Sequence, residues 1–257
     1  MYMTRTRLEG SLAFVTGGGG GIGLATAQAL AEAGARVILA GKNEAALQTA
    51  AEALSRAGHD VRYVLLDITQ SDACTETSER INRDVGPVDI LIANAGIAWS
   101  DTPAEEMSDD TWTHVLDVNL NGTFWTCRAF GKPMLEREKG AIVTVGSISG
   151  LISNKPQRQA QYNASKAGLH HLTRSLAGEW APRNVRVNCV APGYVNTTMS
   201  SVTIKDPKFS VPWMAGTPMN RMVEPEEVAS ANLFLASPAS SGITGAVVTV
   251  DGGYTVW

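Results

Sequence analysis

Short runs of β-branched and other apolar residues recur along the chain, separated by longer alanine-rich amphipathic stretches, and this alternation limits the fold more than any other feature. The runs fall at 12–16, 36–40, 61–66, 88–93, 141–146, 185–190 and 246–250. Several are apolar on both faces, as in LAFVT, DILIAN and GAIVTV, where a strand with one wet face would alternate. Such strands need helices on both sides. The pattern predicts an α/β, doubly wound, seven-stranded parallel sheet with helices on both faces, a single domain over 1–257.

Helical spacing covers 21–34, 43–58 and 70–85, each closed by glycine or a Gly-Pro pair. A longer helical reading spans 108–138, interrupted near 119–122, and another runs over 161–180 before Pro182. These long helices suit a subunit interface. The stretch 196–218, with Pro207, Pro212, Gly216 and Pro218, reads as irregular and predicts a substrate lid loop.

Composition narrows the class. With 257 residues, 44% apolar and 18% charged, the chain can bury a sizeable core and is too hydrophobic for disorder. A net charge of −4 without a long Lys/Arg run argues against a nucleic-acid partner. Cys74, Cys127 and Cys189 lie far apart without a Cys-x-x-Cys, so free buried thiols in a reducing compartment are expected. No stretch reaches the ~18 apolar residues of a membrane span, and the N-terminus lacks the apolar core of a signal peptide. The expectation is a cytoplasmic protein without a membrane partner. His59, His114, His170 and His171 form no metal-ligand pattern, so no metal is expected.

The first run ends at Thr16 and passes directly into Gly17-Gly18-Gly19-Gly20-Gly21-Ile22-Gly23, after which a helix begins. A glycine turn opening a helix lets backbone N–H groups approach an anion, with the helix dipole in support, so the turn is a pyrophosphate site. It satisfies G-x-G-x-x-G in one register (18, 20, 23) and T-G-x-x-x-G-x-G in another (16, 17, 21, 23). A Walker A loop is excluded, since Leu24 follows Gly23. A carboxylate for a ribose 2′-hydroxyl belongs at the end of the second strand, about 20 residues on. Here the chain reads Ala40-Gly41-Lys42-Asn43. Nothing there repels a 2′-phosphate and Lys42 can attract one. The cofactor is therefore read as NAD(P)(H), inclined towards NADP(H).

Tyr162 and Lys166 stand four apart in a helical segment, on one helix face. A fixed cation beside a phenol favours the phenolate and lowers its pKa, making Tyr162 a workable base near neutral pH. Ser147 follows the fifth strand at its carboxyl end, where open α/β sheets bind ligands, and can hold a substrate oxygen. Each residue type alone has an ordinary structural explanation. Their order after a glycine turn carries the argument.

With these residues the chain resembles a single-domain, Rossmann-like short-chain dehydrogenase/reductase over essentially its whole length. The resemblance rests on Thr16-Gly17-x-x-x-Gly21-x-Gly23, Asp67, Asn94-Ala95-Gly96, Asn119, Ser147, Tyr162-x-x-x-Lys166, and Pro192-Gly193 with Thr197. It implies that Gly17, Gly19, Gly20, Gly21, Ile22 and Gly23 hold the pyrophosphate, and that Asp67 and Ile68 meet the adenine. It implies further that Asn94, Ala95 and Gly96 floor the cofactor cleft, and that Pro192, Gly193, Val195 and Thr197 line the nicotinamide. Asn119 is implied as a fourth catalytic member beside Ser147, Tyr162 and Lys166, its helix interrupted so that a backbone carbonyl can hold a water. A homotetramer is implied through the long helices and the C-terminal segment. Gly41 stands where NAD-using members carry Asp.

Between Ser147 and Tyr162 the chain is rich in amide, hydroxyl and cationic groups, suited to a many-hydroxyl substrate. This segment, Phe124-Trp125 and the C-terminal sequence resemble the polyol dehydrogenase branch. Ser147, Ser149, Asn154, Gln161 and Tyr162 are the expected substrate contacts, with Trp99, Trp213 and Met214 as pocket covers. Alternatives are a 3-oxoacyl or other carbonyl reductase on the same site, and a dinucleotide-sensing scaffold, which predicts a broken catalytic set.

Overall fold

The computed structural model describes residues 2–98, 101–197, 200 and 204–257. Its seven strands are β1 (Leu12–Thr16), β2 (Arg36–Gly41), β3 (Val61–Leu65), β4 (Ile90–Ala93), β5 (Gly140–Val145), β6 (Val185–Pro192) and β7 (Val247–Val250). They form one parallel sheet in the order β3-β2-β1-β4-β5-β6-β7. The seven apolar runs all become strands, with ends shifted by one or two residues.

All five residues of β1 are buried, and successive side chains serve opposite cores. Ala13 and Val15 join the core on one face, while Leu12 and Phe14 join the other, where Phe14 meets Phe130 with centroids 4.2 Å apart. A strand period of two inside a sheet covered on both faces requires this split. Leu12 to Val15 are apolar because neither face is wet, and buried Thr16 is hydrogen-bonded.

Connecting helices are α1 (Gly21–Glu32), α2 (Glu44–Arg56), α3 (Ser71–Asp84), α4 (Asp109–Leu116), α5 (Thr123–Glu136) and α6 (Ala160–Trp180). Asn43 caps α2 by accepting from Ala46 N, and Ser108 caps α4 by accepting from Thr111 N. The interruption expected near 119–122 is a π-helical segment, Asp117–Gly122, between α4 and α5.

Two helices depart from the sequence reading. Part of the stretch read as irregular is α7 (Pro207–Gly216), entered through Asp206, whose side chain accepts from Lys208 N. Pro207 occupies the first turn, where a missing N–H costs nothing, and only Pro212 lies inside. A further helix, α8 (Pro225–Ala236), has no counterpart in the sequence reading. Its signal was the Glu224/Glu227 capping box with proline at the first turn. It packs on α1, where Asn232 Nδ2 donates to Thr26 Oγ1 at 2.9 Å in a buried contact.

All three cysteines are buried and free. Among the described residues no helix is long and apolar enough to cross a membrane, and no cluster of potential ligands could hold a metal ion.

Candidate active site

The strand order reverses at β1 and β4, so the connections leaving these neighbours diverge and open a crevice at their carboxyl ends. Thr16 and Asn94 stitch its base. Thr16 Oγ1 accepts from Asn94 N and Ala95 N, both at 3.0 Å, and Asn94 Nδ2 donates to Thr16 O at 2.9 Å. These bonds satisfy backbone groups that sheet pairing leaves unpaired where the strands part.

A cavity of about 320 Å³ fills the crevice. Gly17, Gly20, Gly21, Ile22 and Gly23 form one end, with Asn94, Ala95 and Gly96 below and Pro192, Gly193, Val195 and Thr197 on the far wall. Ser147, Ser149, Asn154, Tyr162 and Lys166 line it as well. Gly20 is the N-cap of α1 and supplies no side chain, so the first-turn N–H groups point into open space. Nothing lies within 4 Å of a Cβ built on Gly20, whereas a Cβ on Gly17 would meet Asn94 Nδ2 at 2.7 Å. A bare helix N-terminus facing an open cradle fits a dinucleotide pyrophosphate.

The remaining expected cofactor residues lie outside this cavity. Gly19 packs against α2, where an added Cβ would meet Ala46 Cβ at 3.2 Å. Lys42 does not stand free: its Nζ pairs with Asp67 Oδ2 at 3.0 Å. Asp67 Oδ1 accepts from Thr69 N and Thr69 Oγ1 at 3.0 and 2.7 Å. Burial pushes the Asp67 carboxyl up, but the Thr69 bonds and Lys42 outweigh it and hold it below the usual range. Ile68 is buried, pressed against Gly122. A Cβ on Gly41 would meet nothing closer than Leu47 methyl groups at 3.7 Å, so the backbone does not demand glycine there.

Tyr162 and Lys166 leave α6 on one face. Tyr162 and Ser147 line the same cavity, and the Lys166 ammonium lies 5.6 Å from the Tyr162 ring centroid. Lys166 Nζ donates to Val145 O at 2.9 Å, the last residue of β5. One expectation is corrected: burial raises the phenol above its ordinary value, and the neighbouring Ser147 hydroxyl opposes this. Burial also brings the Lys166 pKa down to about 8. Asn119 is fully buried and does not line the cavity. Its side chain clamps the segment after β4, accepting from Ile97 N at 2.8 Å and donating to Ile97 O at 2.9 Å. Its carbonyl accepts from Thr123 Oγ1 at 2.9 Å.

The substrate end is corrected at Gln161, which is fully buried and does not face the cavity. One residue along a helix turns a side chain by about 100°, so this position looks into the protein. Gln157, Gln159 and Tyr194 line the cavity in its place and were not expected. Trp213 also lines it, Met214 does not, and Trp99 lies outside the described residues. Helix α7 is tied over this end by Asp101, which pairs with Arg158 Nε at 3.0 Å and Lys208 Nζ at 2.6 Å.

Behind the Ser147 turn sits His170, one turn beyond Lys166. Neither ring nitrogen has a hydrogen-bond partner, and a Cβ on Gly150 would meet its Cε1 at 2.6 Å. Burial first, then the nearby Lys166 and Arg174 charges, bring its pKa down to about 4. A histidine held neutral in the fold charges first on unfolding. Its share of stability is present above pH 6.5 and falls as pH drops towards 4. In denaturant titrations, His170→Leu should lose about 2 kcal/mol less than wild type between about pH 7 and 4.5.

A doubly wound sheet with a phosphate cradle at its switch point and a Ser-Tyr-Lys cluster beside it defines a dinucleotide-dependent oxidoreductase. The comparisons agree. Residues 18–255 match the family model described as Enoyl-(Acyl carrier protein) reductase. The chain is 49% identical over 257 residues to a galactitol 2-dehydrogenase of Rhizobium johnstonii, covering 100% of this chain and 99% of that one. It is 41% identical over 249 residues to the sorbose reductase sou1 of Schizosaccharomyces pombe, covering 96% of each. The crystal structure of gox2181 superposes with a TM-score of 0.99 at 51% identity, over 100% of both chains. The protein belongs to the short-chain dehydrogenase/reductase family.

Proposed function

We propose that this enzyme interconverts a sugar alcohol and a ketose, with Ser147, Tyr162 and Lys166 as catalytic residues and Asn119 as their support. The placing of Ser147, Tyr162 and Lys166 in one cavity with the glycine cradle carries the reading. A bound nicotinamide dinucleotide supplies the hydride acceptor or donor. Gly17 and Gly20 to Gly23 bind its pyrophosphate, and Asn94 to Gly96 with Pro192, Gly193, Val195 and Thr197 flank the ring end. Gly19, Gly41, Lys42, Asp67 and Ile68 surround the adenosine end, beyond the enclosed cavity. Ser147 holds the substrate oxygen, Tyr162 takes its proton in oxidation or returns it in reduction, and Lys166 supplies positive charge beside the phenol. Asn119 fixes Ile97 against the cleft.

The polyol reading gains support from the amides and hydroxyls of Ser149, Asn154, Gln157 and Gln159 at the substrate end. Relatives named for galactitol and sorbose point the same way. Within the stretch 196–218, helix α7 serves as the substrate lid. The exposed apolar C-terminus, Val256 and Trp257, supports a homotetramer; three free thiols support a cytoplasmic setting.

For the cofactor we favour NADP(H): no carboxylate stands at 41–43, and a 2′-phosphate can share Lys42 with Asp67. Gly41→Asp, which the local space admits, should lower the NADP(H)-to-NAD(H) ratio of kcat/KM about tenfold or more. A spectrophotometric panel of hexitols and ketoses with each cofactor tests both points. Turnover of acyl thioesters but of no polyol or ketose would overturn the substrate class, and an unchanged ratio in Gly41→Asp would overturn the cofactor assignment.

A further inference from the structure

Five side chains along the substrate wall form a donor–acceptor chain whose direction is fixed by chemistry at its indole end. The Trp213 Nε1–H group can only donate, and it lies 3.0 Å from Gln157 Oε1, so the carboxamide oxygen must face the indole. Gln157 Nε2 then donates to Tyr194 Oη at 3.2 Å. Asn154 Nδ2 donates to the same oxygen at 3.2 Å, which turns Asn154 Oδ1 to accept from Gln159 Nε2 at 3.1 Å. With two bonds accepted, Tyr194 keeps its own proton to donate, and the Tyr254 ring meets Tyr194 edge-on with centroids 5.1 Å apart. Tyr194 also stacks on Trp213, at 4.1 Å and 11°.

Asn154, Gln157 and Gln159 each spend part of their hydrogen-bonding capacity on this chain and face the cavity with the rest. What remains is a set pattern. Gln157 and Asn154 each keep one N–H, and among the described residues Gln159 Oε1 accepts no bond. Turning any of the three amides over would exchange donor for acceptor and leave a largely buried polar group unpaired. The central oxygen therefore governs what the wall offers to substrate hydroxyls.

Resting on the polyol reading above, we propose that Tyr194 is a positioning residue for substrate specificity: its hydroxyl locks Asn154, Gln157 and, through Asn154, Gln159 into one pattern for a polyhydroxylated substrate. Trp213 makes that pattern depend on the seating of α7.

The test measures kcat/KM for a hexitol and for cyclohexanol in wild type, Tyr194→Phe, Trp213→Phe and the double variant, with thermal melts of the cofactor-loaded enzyme with and without hexitol. Each single variant should lower the hexitol-to-cyclohexanol ratio about tenfold, mainly through the hexitol KM, and lose hexitol protection in the melt. The double variant should fall little further, because both residues act through one chain. Trp213→Phe keeps a stacked ring and serves if Tyr194→Phe folds poorly. An unchanged ratio in the folded variants, or effects of the two substitutions that simply multiply, would overturn the orienting chain. A wild type that does not prefer the hexitol would instead overturn the substrate reading.

Discussion

Tyr162→Phe should bind its cofactor as wild type does and lose between about 10² and 10⁴ of its turnover in both directions, the range expected for a positioned proton-transfer group. Only the hydroxyl leaves. The ring stays beside Lys166 and the cavity keeps its shape, so cofactor titration by fluorescence quenching should be unaffected while the steady-state rate collapses. The same hydroxyl sets the pH behaviour of the wild type. Burial holds the phenol above its ordinary value of 10.0, so at neutral pH the protonated form, which reduction needs, is nearly full. Oxidation needs the minor phenolate, and its kcat/KM should climb about tenfold per pH unit from neutrality upward while reduction stays flat. Lys166, brought down to about 8, loses charge over part of that range and should flatten the climb above it. Residual turnover above a tenth of wild type in Tyr162→Phe, or an oxidation profile flat from pH 7 to 9, would remove Tyr162 from its role.

How much of this was legible in the sequence depends on whether a residue acts alone or through distant partners. The strands could be read because burial on both faces of the central ones leaves few polar positions, and the glycine turn because a single backbone feature defines it. Tyr162 and Lys166 could be paired because helical spacing alone brings them together. Helix α8 was missed because it packs among α1 and the sheet, which blurs the polar stripe that marks a surface helix. Helix α7 was hidden by proline, although Pro207 sits where proline favours a helix. Gln161 was chosen and Gln159 overlooked because the start of α6 sets which glutamine faces the cavity, and boundaries are the least readable feature of a helix. Tyr194 gives no local sign. Its partners, Asn154, Gln157, Trp213 and Tyr254, meet only in the fold. Lys42 likewise looked free until the sheet set Asp67 beside it.

Gly23→Ala is the second change with a large expected effect, although it adds one methyl group. In the glycine turn a Cβ at this position would run into the Gly17 carbonyl oxygen and lie 2.6 Å from Asn94 Nδ2. Neither neighbour can yield cheaply. Gly17 sits at a φ of 66°, on the left-handed side that other residues avoid, and its N–H donates to Ala40 O at 2.7 Å, tying the turn to β2. Asn94 joins β4 to Thr16 across the switch point, so displacing its amide also loosens the floor of the cleft. Gly20 offers the contrast, since nothing lies within 4 Å of a Cβ built there. The first-turn N–H groups of α1 must converge on one anion, and a shift of about 1 Å in a positioned group can cost a hundredfold. Gly23→Ala should therefore weaken cofactor binding about a hundredfold or more and lower the melting temperature, since overpacking costs about 1–3 kcal/mol. Gly20→Ala should keep the wild-type melting temperature, because its methyl group enters open space. Calorimetric titration with the dinucleotide and thermal melts of both variants decide the point: a Gly23→Ala protein with wild-type affinity and melting temperature would mean that the turn yields freely, and the rigid phosphate cradle would have to be given up.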